Sequence, residues 1–175
     1  MNIAASFSRR VLLSLALCAG VLALSACSLM PERVAAGTPR AEIESRLGKP
    51  TLVHALPDGG TRLQYSGQPA GQWVHNMDLD AQGRLLRQTQ VLDAGWLQQN
   101  IQIGHWTRDD VYLNLGKPAL IERVARFDGL IWTYRFLEMG RPRQVHVHLD
   151  PAGVVRQLMF TDEPMDDPGD ASYSP

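Results

Sequence analysis

The chain has 175 residues, of which 45% are hydrophobic and 20% charged, with a formal net charge of −1. This length and composition suit one globular domain or two small ones, and the charge balance argues against nucleic acid as a partner. Both cysteines, Cys18 and Cys27, lie near the N-terminus, so the rest of the chain holds no disulfide, cysteine-based metal site or cysteine nucleophile.

Residues 1–26 have the pattern of a bacterial lipoprotein signal peptide. Two arginines precede an apolar run that is too short for a membrane-spanning helix, which needs about 20 apolar residues. The run ends in Leu24-Ser25-Ala26-Cys27. This pattern predicts that Leu24, Ser25 and Ala26 are recognised by the signal peptidase and that Cys27 becomes the lipidated first residue of the mature chain.

Lipidation predicts a protein that lies on a membrane, with residues 27–33 as the lipidated cysteine and a short linker. Acyl chains contribute about 0.8 kcal/mol per buried methylene, and more than one chain gives stable anchoring. Ser28 stands where lipoproteins kept on the inner membrane typically have Asp. The predicted location is therefore the outer membrane, facing the periplasm. Because only Arg9 and Arg10 are lost, the mature chain keeps 15 of the 17 basic residues against 18 acidic ones, a net charge of −3.

The first predicted module, residues 34–92, is a short helix followed by four strands. Thr38 is expected to cap the helix, Ile43 and Leu47 lie on one face, and Gly48 can take the positive φ that ends it. A helix of about nine residues is unstable alone and needs a sheet to pack against. Apolar runs between turn residues predict strands over 52–56, 62–66, 73–79 and 85–91.

The second predicted module, residues 93–161, repeats this order after a short helix over 93–99. Thr107 is expected to cap its main helix, with Val111 and Leu115 facing inward. The predicted strands are 120–126, 130–137, 143–149 and 154–160. Because short turns favour antiparallel neighbours, each module is predicted to be a short helix, or helix pair, on a four-stranded antiparallel meander. The predicted fold class is therefore α+β, with two tandem units.

The two modules also share sequence motifs. Leu47-Gly48-Lys49-Pro50 in the first returns as Leu115-Gly116-Lys117-Pro118 in the second. Other corresponding positions are Gly37 and Gly104, Tyr65 and Tyr134, and the Asp-x-x-Gly turns at 80–83 and 150–153. The spacing differs by only a residue or two, as expected for two copies of one fold with different loop lengths.

This set of motifs, Leu-Gly-x-Pro, an aromatic strand ending in Tyr, and Asp-x-x-Gly in the last turn, resembles the SmpA/OmlA family of BamE-like modules. The resemblance occurs twice and covers about residues 34–161. It implies a non-enzymatic accessory of outer-membrane protein assembly. The tandem arrangement is also similar to the β-lactamase-inhibitor protein, in which two units form a saddle. The sequence departs from the family where copy one has Leu63 and copy two has the more typical Trp132.

His146 and His148 are the strongest candidates for a chemical site, because alternate residues of a strand share one face. Two imidazoles together could bind a metal, but positions 145, 147 and 149 are apolar and are expected to face the core. The histidines correspond to Asn76 and Asp78 in the first module. We therefore expect solvated strand residues and no metal.

The aromatic residues give two further expectations. Trp132, Tyr134 and Phe136 alternate along one strand and are expected to form sheet core. Trp73 and Trp106, together with His146 and His148, are candidate partner-binding residues, since an exposed aromatic can anchor a partner. No phosphate-binding, nucleophile or paired-carboxylate motif stands out, so we expect no enzyme activity and no cofactor.

The C-terminal segment, residues 162–175, has five acidic residues and no basic one. This composition predicts a disordered tail. We expect the tail to contact basic positions of the second module weakly, the candidates being Arg126, Arg135, Arg141 and Arg143.

Two functions fit these features. The first is an outer-membrane-anchored, non-enzymatic scaffold for protein interaction or assembly, bound to the membrane by its lipid and to periplasmic or outer-membrane proteins, with components of the assembly machinery as candidates. The second is a protein inhibitor or small-ligand-binding module that uses a saddle between the two units. Lipidation favours the first, because an anchor raises the effective concentration of a local partner.

Overall fold

The computed structural model describes residues 34–164. Over this range it has three helices, α1 (Arg40–Leu47), α2 (Ala94–Asn100) and α3 (Arg108–Leu115). The eight strands are β1 (Leu52–Ala55), β2 (Thr61–Ser66), β3 (Val74–Leu79), β4 (Leu85–Gln90), β5 (Leu120–Val124), β6 (Phe127–Glu138), β7 (Arg141–Leu149) and β8 (Val155–Asp162). Each predicted strand and helix corresponds to one of these elements.

Two predicted segments lie outside the described residues. They are the tail 165–175 and the N-terminal region that holds Leu24, Ser25, Ala26 and Cys27. Signal cleavage and lipidation therefore stay predictions. None of the helices within residues 34–164 has the length and apolarity needed to cross a bilayer.

The strands form two antiparallel sheets of four, each with its strands in sequence order. The predicted α+β fold of two tandem units is confirmed.

The main difference from prediction is at the C-terminus, where β8 continues to Asp162, opposite Arg143 of β7. The additional residues Thr161 and Asp162 pair with Gln144 and Arg143, and the N–H of Glu163 donates to the carbonyl of Pro142 at 3.2 Å. The predicted tail therefore starts too early.

Each sheet packs against its own helices, but the two cores differ in size. In the first unit α1 contributes Ile43 and Leu47 against the β2 and β3 residues Leu63 and Met77. In the second unit the core is larger and includes the predicted aromatic set Trp132, Tyr134 and Phe136, packed against Leu97, Val111 and Leu115. This second core also contains Val74, Val91 and Leu92 from the first unit. The two units therefore share buried apolar surface.

The repeated glycines have the same role in both units. Gly37 and Gly104 have φ angles of 85° and 84°, and their N–H groups donate to Leu85 O at 2.7 Å and Val155 O at 2.8 Å. These bonds fix each helix start to the last strand of its sheet. The equivalence explains why the spacing of the motif is kept between the two copies.

The Leu-Gly-x-Pro motif ends each main helix and joins it to the sheet. Gly48 and Gly116 both have positive φ, at 80° and 72°, a conformation that side chains disfavour. The hydroxyl of Tyr65 donates to Gly48 O at 3.0 Å, and that of Tyr134 donates to Gly116 O at 2.8 Å. The shared motif therefore has a structural explanation in both units.

The two main helices differ at their N-termini. Thr107 and Asp110 form a capping box on α3, as the sequence predicts for Thr107. The predicted cap at Thr38 is wrong, because α1 begins one residue later with Pro39 at the cap position and no side-chain cap. The hydroxyl of Thr38 instead donates to Ala35 O at 2.7 Å, within the preceding turn.

Candidate functional site

Each sheet has an outer face, defined as the face opposite its own helices. The strand register places Leu52, His54, Arg62, Gln64, Asn76 and Asp78 on the first outer face. It places Leu120, Glu122, Ile131, Thr133, His146, His148 and Met159 on the second outer face. Although the two faces occupy equivalent positions in the two units, their surroundings are very different.

The first outer face is covered by the C-terminal end of α3 from the second unit. The backbone carbonyl of Asn114 accepts hydrogen bonds from Asn76 Nδ2 at 2.8 Å and Gln64 Nε2 at 3.2 Å. The side-chain oxygen of Asn114 accepts from Arg62 Nη1 at 2.8 Å. The last carbonyls of a helix lack internal partners and carry partial negative charge, so side-chain donors and a cation stabilise this end.

A buried ion-pair network lies beside this helix end. Arg62 forms a two-bond contact with Asp78, at 2.6 and 3.0 Å, and both side chains are buried. Arg87 contacts the same carboxylate at 2.9 Å but is largely exposed. Burial alone would raise the pKa of Asp78, but the hydrogen bonds and charges of Arg62 and Arg87 lower it overall. The network therefore holds a buried carboxylate in its charged form.

A loop of the first unit makes a second contact between the units. The side-chain amide of Gln68 donates to Arg135 O at 2.7 Å and accepts from Arg135 N at 3.3 Å, as a neighbouring strand would. The guanidinium of Arg135 donates to Pro69 O at 2.9 Å and Ala70 O at 2.8 Å. This loop, residues 67–73 between β2 and β3, therefore lies along the edge of β6 next to the start of β5.

The first residues of the predicted tail join this contact. Glu163 forms an ion pair with Arg135 and accepts from Gln72 Nε2 at 2.9 Å, while Asp162 lies 3.2 Å from Arg143. The predicted contact with basic residues is thus present at Arg135 and Arg143. These bonds hold the chain end in place as far as Glu163, so this part of the tail is ordered, which corrects the prediction of disorder from residue 162.

Two clefts open beside the covered face. The larger has a volume of about 490 Å³ and is bordered by Leu56, Pro57, Leu86 and Arg87. The smaller, of about 170 Å³, lies between the units and is bordered by Trp96, Asn100, Trp106 and Asn114. Each of the three side-chain nitrogens of Arg62 has a protein partner, and Arg87 also contacts Asp78 through Nε at 3.0 Å and Nη2 at 2.9 Å, so both arginines that border the larger cleft are paired with the same carboxylate.

His146 and His148 lie on the second outer face, as their alternation predicts, but they are not solvated as expected. The two ring nitrogens of His146 lie 2.8 Å from Thr133 Oγ1 and 2.9 Å from Thr161 Oγ1. His148 is only 6% exposed and packs edge-on against Phe127, with ring centroids 4.9 Å apart. Neighbouring side chains on the sheet and the Phe127 ring exclude water from the position that the sequence pattern assigned to solvent.

The electrostatics of this pair follow from burial. Burial lowers the pKa of His148, and the nearby His146 lowers it further. Burial also lowers the pKa of His146, although Glu122 opposes the effect. Neither ring nitrogen of His148 has a hydrogen-bond partner among residues 34–164.

Metal binding finds no geometric support at these histidines. Both ring nitrogens of His146 face threonine hydroxyls. Within the described part of the chain, no group of three or more His, Cys, Asp or Glu side chains is placed to hold a metal ion. The two threonines and the Phe127 ring instead account for the contacts of this pair.

The second outer face also carries exposed apolar side chains. Leu120 is 51% exposed and Met159 is 41% exposed. The helices α1, α2 and α3 place their buried residues in the two cores, and none of these residues belongs to this face. Among the described elements, the second outer face therefore lacks the helical cover that the first one has.

The two candidate tryptophans lie elsewhere. Trp73 is 39% exposed and its ring lies against the buried His75, with centroids 5.5 Å apart. Trp106 packs against the second core and contacts Trp96 at a centroid distance of 6.4 Å. Trp106 is partly buried and borders the smaller cleft, and Trp73 keeps some free surface, so their role in partner binding stays a prediction.

Sequence reasoning missed the residues that join the two units. Gln68 and Asn114 give no motif signal, since a polar residue in a loop or at a helix end is normally solvated. One signal was available: Arg62, Gln64, Asn76 and Asp78 alternate with apolar residues on adjacent strands and include opposite charges. Such a face can be solvated or covered by a polar partner, and only the tertiary arrangement decides between these.

Comparison with known proteins gives little further information. No family model matches the sequence, and no curated protein matches it. Among solved structures, the chain is similar to a DUF4309 family protein, YjgB of Bacillus subtilis, with 14% identity over 79% of this chain and 85% of that chain. The TM-score is 0.30, which carries no argument about function. The SmpA/OmlA resemblance has no counterpart in these comparisons and stays a hypothesis.

Proposed function

We propose that this protein is a lipid-anchored, non-enzymatic interaction module on the periplasmic side of the outer membrane, which binds a partner protein with its second outer face. The contrast between the two outer faces carries the proposal. The first is covered by Asn114 and its helix, whereas the second exposes Leu120 and Met159 without a described helix over them. Contiguous exposed apolar patches commonly mark interaction surfaces, and Leu120 and Met159 supply apolar surface at the two edge strands of this face.

The anchor part of the proposal comes from the lipoprotein pattern that ends at Cys27. A tethered protein meets partners on the same membrane at a high effective concentration, so even a modest interface can remain occupied. The resemblance to SmpA/OmlA modules points to outer-membrane or periplasmic assembly proteins as partners. Assembly machinery is therefore the first class of partner to test.

A second candidate function has one observation in its favour. The larger cleft, of about 490 Å³, has the size of a small-ligand site and places Arg87 beside the apolar Leu56 and Leu86. Asp58 and Asp78 balance Arg62 and Arg87 in the lining, so a small ligand or an inserted loop with both polar and apolar groups would fit it. This would be the ligand-binding or inhibitor role that a saddle between two units allows.

Crosslinking and affinity capture from membranes of the native host test the proposal. Four forms are compared: wild type, Cys27→Ser, Met159→Arg and Arg87→Ala. Met139→Arg is the matched control, because Met139 is 99% exposed at the β6–β7 turn, away from the second outer face.

We expect capture of an envelope protein that is lost in Met159→Arg, reduced in Cys27→Ser and kept in Met139→Arg. Capture that depends on Arg87 and not on Met159 would favour the ligand or inhibitor role. Capture that is unchanged in Met159→Arg would contradict the proposed binding face.

A further inference from the structure

We infer that β8 pairs antiparallel with β8 of a second copy of this chain, around a two-fold axis at Met159. The inference goes beyond the proposed function, because it concerns the β8 edge, defined as the side of β8 that faces away from β7, and not the outer face. β8 is the last strand of its sheet, so β7 is its only neighbour among the described strands. An unpaired strand edge presents N–H and C=O groups to which another strand can bond.

The directions of the β8 backbone groups follow from a bond at its C-terminal end. There the N–H of Glu163 donates to Pro142 O, next to β7, at 3.2 Å. Successive residues of a strand alternate in the direction of their backbone groups. The groups of Met159 therefore point toward β7, whereas those of Leu158 and Phe160 point outward at the β8 edge.

The start of the β8 edge is covered, but the rest is not. The N–H of Val155 donates to Trp106 O, and its carbonyl accepts from the N–H of Gly104, both at 2.8 Å. Within residues 34–164, no comparable backbone bond reaches the outward groups of Leu158 and Phe160. These groups are therefore free to pair with a strand from outside the described chain.

β8 also lacks the features that protect the other sheet edges. Its residues 157–161 are Gln-Leu-Met-Phe-Thr, with neither a charge nor a proline. Among the other described edge strands, β5 carries Glu122 and Arg123, β4 carries Arg87, and β1 has only four residues. Charged side chains and short strands oppose edge-to-edge pairing. The β8 edge is thus the described edge best suited to bind another strand.

The sequence of β8 selects a register with itself. Since outward groups must meet outward groups, the axis can lie at Leu158, Met159 or Phe160. An axis at Leu158 would place Phe160 opposite Arg156, and one at Phe160 would place Leu158 opposite Asp162. An axis at Met159 instead pairs Leu158 with Phe160 and places Arg156 opposite Asp162. Apolar pairs and pairs of opposite charge are the favourable cross-strand pairs, so this register is preferred.

The side chains that define this register are accessible. Met159 is 41% exposed and would meet its own copy at the axis. The side chains of Arg156 and Asp162 are 53% and 89% exposed, although they also contact Asp150 and Arg143 of their own chain. Exposed ion pairs contribute little free energy, so these charges select the register. The main-chain bonds and the apolar centre stabilise the dimer.

The pairing would join two four-stranded sheets into one sheet of eight strands. The second outer faces of the two copies would then be adjacent, as one surface for a partner. Two copies related by a two-fold axis lie at the same height along that axis, so two anchors at Cys27 can reach one membrane. Anchoring would also raise the effective concentration of the copies and favour a weak dimer.

Single cysteines test the register in the mature chain, residues 27–175, in which Cys27→Ser leaves no other cysteine. Met159→Cys would place two thiols in a non-hydrogen-bonded pair with Cα atoms about 4.5 Å apart, a distance that a disulfide can bridge. Gln157→Cys and Thr161→Cys should crosslink when mixed but not alone. Thr89→Cys, at the equivalent position of β4, is the matched control. We expect Met159→Cys to form about tenfold more covalent dimer than this control.

Sedimentation of the same cysteine-free chain measures the association without a crosslink. We expect a dimer with a dissociation constant on the order of 100 µM, as a small interface gives. Met159→Arg places like charges opposite each other at the axis and should weaken the dimer about fivefold. Met139→Arg, at the exposed β6–β7 turn, should leave it unchanged.

Equal crosslinking of Met159→Cys and Thr89→Cys would overturn the inference, as would a covalent dimer of Thr161→Cys with itself. A chain that stays monomeric at all concentrations would also overturn it. If native capture still depends on Met159 in that case, the edge pairing is wrong and the proposed function stands. A dimer with the expected crosslinks, together with capture unchanged in Met159→Arg, would support the edge pairing and contradict the proposed binding face.

Discussion

The two outer faces show how one tandem fold makes both an internal interface and a candidate external one. On the first, buried charges and amides meet a helix end from the neighbouring unit, with Arg62 at the centre. On the second, the equivalent position is Ile131, and the polar groups near it bond to one another. The difference teaches that, through a few substitutions, equivalent strands can carry a face covered by a neighbouring helix in one copy and a face without a described helix over it in the other.

The largest effect is expected from Asp78→Ala, which leaves Arg62 buried without its carboxylate. Removing one partner of a buried ion pair costs about 3–5 kcal/mol of unfolding free energy. On the second outer face, His148→Ala lacks this penalty and is expected to cost about 1–2 kcal/mol, mainly from lost packing. Urea unfolding of both variants measures the difference. Equal losses would contradict the claim that only the first face depends on buried charge.

A smaller effect is expected when the helix end itself is changed. Asn114→Ala removes the closer acceptor of Arg62 Nη1, which keeps only the longer bond to Leu113 O at 3.4 Å, and losing a hydrogen bond to a charged group costs about 1–3 kcal/mol. The matched control is Arg46→Ala, at the equivalent position of α1, which removes an exposed ion pair worth about 0.5 kcal/mol. If the two variants unfold at the same urea concentration, the docking of α3 on the first sheet contributes nothing to stability.

A third comparison uses the two glycines that end the helices. Gly48→Ala and Gly116→Ala both place a side chain at positive φ, which costs about 1 kcal/mol in each case. Only at Gly116 would the new Cβ also meet Gln64, whereas the space around Gly48 is open. We expect Gly116→Ala to be the more destabilising variant in thermal unfolding, with shifted Gln64 side-chain NMR signals. Unshifted Gln64 signals would indicate that the helix end is not so close.

The smallest effect is a difference in pH dependence. Burial lowers the pKa of His146 and His148 in the folded protein below the ordinary value of 6.5. The unfolded chain then binds more protons, so their contribution to stability is full above pH 6.5 and decreases as the pH falls toward the folded pKa. The pKa of Asp78 is also lowered, so its contribution is full above 3.8 and is lost only as the pH falls below that value.

Acidification is therefore expected to weaken both units, since burial and Arg62 also lower the pKa of His54 on the first outer face. Unfolding free energies between pH 7.5 and 5 should decrease in the wild type, and His148→Leu should flatten part of this decrease. A steeper dependence of the unfolding free energy on pH in His148→Leu would contradict the assignment of a lowered pKa to His148.

Much of the fold was accessible from the sequence, because helix signals, turn residues and the repeat all indicate the same local structure. The alternation at positions 145–149 also predicted which face His146 and His148 occupy. Their burial was not predicted, since it depends on Phe127 and on threonines from two neighbouring strands. The contact between the units was missed for a similar reason. Gln68 bonds to the backbone of Arg135, and the backbone carbonyl of Asn114 accepts from Asn76; such contacts between residues far apart in sequence leave no periodic pattern.

The most direct test places a photo-crosslinking amino acid at Thr89 or at Met159, the equivalent positions of the two outer faces, in membranes of the native host. The account predicts a specific crosslink to another protein from position 159 and none from position 89, which borders the smaller cleft between the units. Crosslinks from position 89 alone, or from neither position, would contradict the central claim that the second outer face is the binding surface.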